Sequence, residues 1–585
     1  MALEQLLTLV RMHCPAQNRI PSSVSFLKKI FNDMGAPKEI HSFCPDCKSS
    51  VSYSAPKCLS CDKSLKGCNI PFFVTVDIEH QLNSIFNKPG NWDDIQTYRY
   101  KDREPGVIKD IYDGVRYRMN TELTDPNNIS FLFNTDGVPV LKSSPSSLWP
   151  VFLSINELSS TKRFRRGNQV VAGIWFSSQK PLMQTYLRPI VDNLLKLEKE
   201  GFNYRAKQVT CKCFTLAVSC DLPAKCLVYC TKQFNGFYGC HKCEIEGLSV
   251  AKGKGNVRVF THKDSISAVK RTQETYLTNA KTASETGSAC KGIKGRSHLA
   301  DLSLDIVDGD AVDYMHKVCQ GDVKQLLGLW FQKGNKSPYV ISNELKELDD
   351  RIKGVKLTTE FERRPRSLEY RSHFKASELR AFLLFYGPIV LNGILPQPWY
   401  DHFLCLSEAI HLLLRDRITD GDLKYAQALL NYFSEYFEKL YGQENCSANF
   451  HRHQHVCDTV SNLGPLWAVS CFHFEDMNGC ILKNIHGSAN IMSQVIASIS
   501  IVQGMSQLKT ELLDKSPCKH TLFTSLMSKY GCSSSNTTEL STDVLAVGTT
   551  HTRILSKKEH IALWKHLNYA CSVTDLKLFS RLKFS

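Results

Sequence analysis

Apolar and polar positions along this chain follow two rhythms. Residues 4–13 (EQLLTLVRMH) and 23–34 (SVSFLKKIFNDM) carry apolar side chains three and four apart, which predicts short amphipathic helices. FFVTVDIEHQLNSIF (72–86) predicts a further helix, and DIYDGVRYRMN (110–120) a small strand pair. The turn-rich TELTDPNN (121–128) sets a boundary near residue 125. The rhythm then shortens. ISFLFNT (129–135), SLWPVFLSINEL (147–158) and QVVAGIWFSS (169–178) predict three strands, the first ending in Asp136-Gly137. Residues 183–201 return to helical spacing and stop at a glycine. Residues 209–220 predict a fourth, buried strand that ends at Asp221. Residues 250–300 are polar and basic and read as an exposed loop, and a long helical region follows to about residue 445. The expected fold is α/β plus α, in four parts: 1–125, 126–245, a mainly helical insertion at 246–445, and 446–585.

Composition narrows this picture. A chain of 585 residues exceeds what one core usually needs. The 72 basic residues against 57 acidic ones leave +15, which favours a polyanionic partner. No run of about eighteen apolar residues offers a membrane span, and residues 1–19 lack the pattern of a secretory signal. With 23 cysteines, several in Cys-x-x-Cys pairs, the expected compartment is reducing and intracellular, where such pairs bind metal.

Cys44, Cys47, Cys58 and Cys61 form two such pairs with ten residues between them, the spacing of a Zn²⁺ ribbon. Cys240 and Cys243 supply half of another zinc site. His451 and His455 stand one helical turn apart, with His453 expected on the opposite face. Cys211, Cys213, Cys220 and Cys226 read as buried apolar filling. Asp136 and Asp221 lie 85 positions apart, each at a strand end. Side by side they could share divalent cations, and two strand-end aspartates with a third, helix-borne acid are what two-metal phosphoryl transfer needs. Each is also open to reading as a turn residue that ends its strand, as many Asp-Gly and Asp-Leu-Pro pairs are.

NTDGVPV around Asp136, CDLPAK around Asp221, FNGFYGCHKC, DYMHKV, LGPLW and FEDMNG together resemble animal transposases of the CACTA (En/Spm-like) group, over roughly residues 40–500. That group is similar to the RNase H-like Asp-Asp-Glu nucleases and to the catalytic subunit of the V(D)J recombinase. The resemblance implies an RNase H-like mixed sheet interrupted by a helical insertion, and an N-terminal zinc ribbon. It implies Asp136 and Asp221 as the first two acids, Glu475 as the third with Glu378 as competitor, and Mg²⁺ or Mn²⁺ as cofactor. It also implies that Cys240, Cys243, His451 and His455 share a structural Zn²⁺ that brings Glu475 to the aspartates. Asp313 and His316 form an Asp-x-x-His motif, open to metal binding, substrate orientation or a core role. The implied partner is DNA, at transposon ends and target, met in the nucleus by a homo-oligomer. Basic segments 161–169, 251–258 and 361–371 would contact phosphates. Two other readings stand beside this one: a catalytically inactive, domesticated descendant that binds DNA or chromatin, and a zinc-ribbon scaffold for protein partners.

Overall fold

The computed structural model describes residues 2–513, apart from 16, 19, 67–69, 141–145, 356–360, 362 and 488, together with strands Thr537–Ser541, Val544–Val547 and Arg581–Phe584. The other elements expected toward residue 585 lie outside the described residues. The chain divides into two compact units, Met1–Leu345 with Glu369–Thr510, and Lys346–Leu368 with Glu511–Ser585. The second contains an antiparallel sheet of the three C-terminal strands. Every candidate site residue belongs to the first.

The first unit is built on an eight-stranded mixed sheet among the described residues: β1 (Lys38–Phe43), β2 (Ser50–Val51), β3 (Phe72–Val76), β4 (Ile129–Thr135), β5 (Val138–Pro139), β6 (Ser147–Ile155), β7 (Gln169–Ser177) and β8 (Cys213–Val218). Their order is β8-β4-β6-β7-β3-β1-β2, with β5 beside β6. Strands β4, β6 and β7 form an antiparallel meander. The helix Met183–Lys199 then carries the chain across, so that β8 returns parallel to β4.

Both faces of this sheet are covered. Phe131, Phe133, Val151 and Leu153 pack with Leu82 and Ile85 of helix Ile78–Phe86 and with Tyr186, Ile190 and Leu194 of helix Met183–Lys199. On the other face Phe152 stacks on Phe474 of helix Phe472–Lys483, ring centroids 6.0 Å apart. Two-sided burial explains why these strands read as unbroken apolar runs rather than alternating ones.

Several expectations need correction. Residues 72–86 are not one helix. The aromatic and β-branched FFVTV is strand β3, and Asp77 caps the helix after it by accepting from the His80 amide. Residues 110–120 are helical turns rather than a strand pair, because Asp110 and Asp113 form a capping box over Ile111–Asp113. The neighbouring strand is Val107–Ile108, paired with Ile418–Thr419. Residues 209–220 split into Val209–Cys211, paired with Phe202–Tyr204, and β8. Residues 250–300 are not a loop. They hold the hairpin Leu248–Lys252/Gly255–Val259 and helices His262–Ser267 and Gln273–Thr286. The sheet draws strands from both sides of residue 125, because the cysteine-bearing β1–β2 hairpin joins it through β3. Beyond it lies a largely helical stretch in which Gln397–Leu413 packs on Asp420–Tyr441. Among the described residues no helix is long and apolar enough to cross a membrane.

Candidate functional site

The parallel pairing of β8 with β4 sets Val218 opposite Phe133, and Asp221 and Asp136 each follow that pair by three residues. Two adjacent strands therefore deliver both carboxylates at one edge of the sheet. Beyond β4 the chain turns at Gly137, whose amide donates to Asp136 Oδ1 at 2.7 Å. A Cβ on Gly137 would stand 2.5 Å from the Trp149 indole, so this turn needs glycine. Asp221 is the N-cap of helix Leu222–Val228, its Oδ1 accepting the Ala224 amide at 2.7 Å. Burial, with the charges of Asp221 and Glu475, pushes the Asp136 carboxyl well above the usual carboxylate range against the pull of His316. Burial raises Asp221 too, opposed by the Ala224 hydrogen bond and the charges of His316 and Lys225.

Glu475 arrives from the first turn of helix Phe472–Lys483. The segment before that helix is tied to the sheet: Ser219 Oγ donates to Val469 O at 2.6 Å, and the Cys471 amide donates to Asp313 Oδ1 at 3.0 Å. Asp313 is buried, and its other oxygen accepts the His316 amide at 3.0 Å and pairs with His316 Nδ1 at 2.7 Å. His316 Nε2 then lies 3.8 Å from Glu475 Oε1. Asp136, His316 and Glu475 place one ligand atom each within 4.8 Å of one another, and so do Asp313, His316 and Cys471. For His316 burial alone would depress the imidazole. The hydrogen bond and charge of Asp313, with Asp136 and Asp221, instead raise it to about 9. No family model matches this chain, and no curated protein matches it significantly.

Glu378 is turned to another task. It sits buried at the start of helix Ala376–Ala381, and its Oε2 accepts the Lys375 amide at 2.9 Å. Sequence reasoning missed Cys471, one of many cysteines and without a Cys-x-x-Cys partner. It also left His316 among several possible roles, since nothing local places it beside Glu475.

Cys44, Cys47, Cys58 and Cys61 converge as the ribbon spacing predicts and could hold zinc. The Cys44–Cys61 and Cys47–Cys58 sulfurs lie 3.7 and 3.5 Å apart. Thiolates on a tetrahedral zinc stand about 3.8 Å apart. Between the two pairs runs the short strand Ser50–Val51. Cys240, Cys243, His451 and His455 form the second group able to hold a metal ion, all four buried. Cys243 Sγ lies 3.1 Å from His451 Nε2, Cys240 Sγ 3.5 Å from His455 Nε2, and the two Nε2 atoms are 3.3 Å apart. His451 turns its Nδ1 to Ser265 Oγ at 2.9 Å, which leaves Nε2 for the metal. His453 is held elsewhere, its ring between Phe450 O and Asp322 Oδ2. Cys211, Cys213, Cys220 and Cys226 are buried filling, as expected.

The basic runs are less available than their sequence implies. In 161–169, Arg163 is fully buried in a two-pronged pair with Asp110, Lys162 pairs with Asp94, and Arg166 grips Asp476 with two 2.6 Å bonds. In 251–258, Lys252 donates to Glu444 O and Asn445 Oδ1, and Arg258 lies over the Phe237 ring. In 361–371, Arg371 donates to Phe331 O, while Arg363 and Arg364 are exposed and Glu362 lies outside the described residues.

Proposed function

We propose that this protein cuts and rejoins DNA strands by metal-assisted phosphoryl transfer, as an RNase H-like Asp-Asp-Glu transposase of the CACTA type. One observation carries the reading: Asp136 and Asp221 end neighbouring parallel strands at the same register, and Glu475 reaches Asp136 from a distant helix. The antiparallel meander, crossover helix and parallel fourth strand make a mixed sheet, which supports this reading.

The donor set suits a divalent cation. Carboxylates pushed up by burial and mutual charge mark a spot short of positive charge, and their oxygens favour a hard ion. The imidazole nitrogen beside them makes Mn²⁺ as good a fit as Mg²⁺. Bound there, divalent ions would activate the attacking oxygen and stabilise the leaving one. Asp136, Asp221 and Glu475 would hold them. Asp313 accepts the Nδ1 proton of His316 and so turns Nε2 toward the acids as a ligand or proton carrier. In cleavage, water attacks phosphorus, the bond to the 3′ oxygen breaks, and that oxygen leaves as a hydroxyl. In strand transfer this hydroxyl attacks a target phosphodiester and displaces its 3′ oxygen in turn. On this reading the protein acts in the nucleus as a homo-oligomer, and its zinc sites are structural.

The purified chain is expected to nick DNA with Mn²⁺ or Mg²⁺, and Asp221→Asn to lower that rate by roughly a hundredfold or more. Equal nicking by Asp221→Asn would refute the assignment. Salt-sensitive DNA binding without nicking would mark the inactive, domesticated alternative instead.

A further inference from the structure

Between the cysteine–histidine group and the carboxylates lies a buried charge cluster that neither uses. Asp310 is fully buried. Lys225 Nζ lies 2.5 Å from its Oδ1, and Arg452 Nη2 lies 3.5 Å from its Oδ2. Burial alone would raise this carboxyl, yet the charges of Lys225, Lys242 and Arg452 bring it down to about 2.

Each of these cations, and the buried imidazole of His241, sits beside a residue of one of the two sites. Lys225 is on the helix that Asp221 caps, His241 and Lys242 lie between Cys240 and Cys243, and Arg452 follows His451. Asp310 itself belongs to a short segment laid against β8. The Val218 amide donates to Gly309 O, and the Ala311 amide donates to Val218 O, each at 2.9 Å. Three residues later the same segment presents Asp313, which fixes His316. Lys225 also donates to Ala311 O, and Lys242 to Val307 O. Asp310 thus joins the histidine-bearing turn to the helix of the second aspartate, and Lys242 ties the Cys240–Cys243 loop to Val307, just ahead of Asp310 in the segment leading to His316.

We propose that Asp310 is a positioning residue that couples the Cys240–Cys243–His451–His455 metal site to the carboxylate site. The inference rests on the divalent-cation reading of Asp136, Asp221 and Glu475. Loss of zinc would free Arg452 from Asp310 and Lys242 from Val307, leave Asp310 paired with Lys225 alone, and loosen Asp221 and His316 together. Linkage requires the converse as well, so cations at the acids favour retention of zinc.

The test is Mn²⁺ binding by the full chain, followed through the electron paramagnetic resonance of free Mn²⁺, beside zinc content and melting temperature. Asp136→Asn identifies the binding that belongs to the acids. Lys225→Met and Asp310→Asn are expected to weaken that binding by roughly ten- to a hundredfold with zinc retained. The double variant is expected to be no weaker than the weaker single one. Asp310→Asn strands several buried cations and is the variant more prone to misfold. Lys225→Met removes only one of them and carries the test by itself. Folded Lys225→Met that binds Mn²⁺ within twofold of the parent overturns the coupling, whatever its melting temperature, and leaves the divalent-cation reading standing. A parent chain with no Asp136-dependent Mn²⁺ binding overturns both.

Discussion

Glu475 and Glu378 both begin helices, and only their surroundings tell them apart. Glu475 lies beside His316 and Asp136, whereas Glu378 closes the first turn of its own helix. Glu475→Gln is therefore expected to lower Mn²⁺-dependent nicking by roughly a hundredfold or more with little change in melting. Glu378→Gln should do the reverse, keeping the nicking rate within a few-fold while costing about 1 kcal/mol of stability in denaturant titration. The opposite pattern would exchange their roles. Asp136 and Asp221 were legible beforehand because acids followed by turn-formers at strand ends are a local signal. The grouping of His316 with them was not, since it depends on contacts made across the fold by Asp313. Arg163 shows the same limit from the other side. Its place in a basic run suggests phosphate contact, while its fork is spent inside the protein on Asp110.

Elements were legible where the pattern was long and uninterrupted. The meander strands and the helix Met183–Lys199 fall within a few residues of expectation. Junctions were not. FFVTVDIEH mixes a strand and a helix start, and its apolar spacing alone fits a helix, so the Asp77 cap decides the matter. A similar junction lies at Gly114, which starts the helix Val115–Met119 beside helix Val456–Leu463. A Cβ there would stand 2.4 Å from Asn462 O, a backbone atom with little freedom to retreat. Gly114→Ala is expected to cost roughly 1–3 kcal/mol of stability, read by chemical denaturation. A neutral result would mean that the two helices part easily.

For the molecule as a whole, the two cysteine groups differ in exposure more than in chemistry. Cys47 and Cys61 are exposed, while Cys240, Cys243, His451 and His455 are all buried. A chelator is therefore expected to withdraw zinc in two phases, followed with a metal-sensitive dye, and Cys47→Ser to abolish only the faster one. A single phase would show that the two groups open together. Their legibility differed in the same way. The ribbon is written within a few residues, whereas the second group is split across the chain and only a family pattern linked its halves.

That split bears on biosynthesis. Cys243 meets a histidine 208 positions further on, which at cellular rates of synthesis is a wait of roughly 10–40 s. Asp136 and Asp221 leave the ribosome long before Glu475, and so do Cys240 and Cys243, which come together with His451 and His455. On the function proposed above, a nascent chain therefore lacks its third carboxylate until translation has passed Glu475.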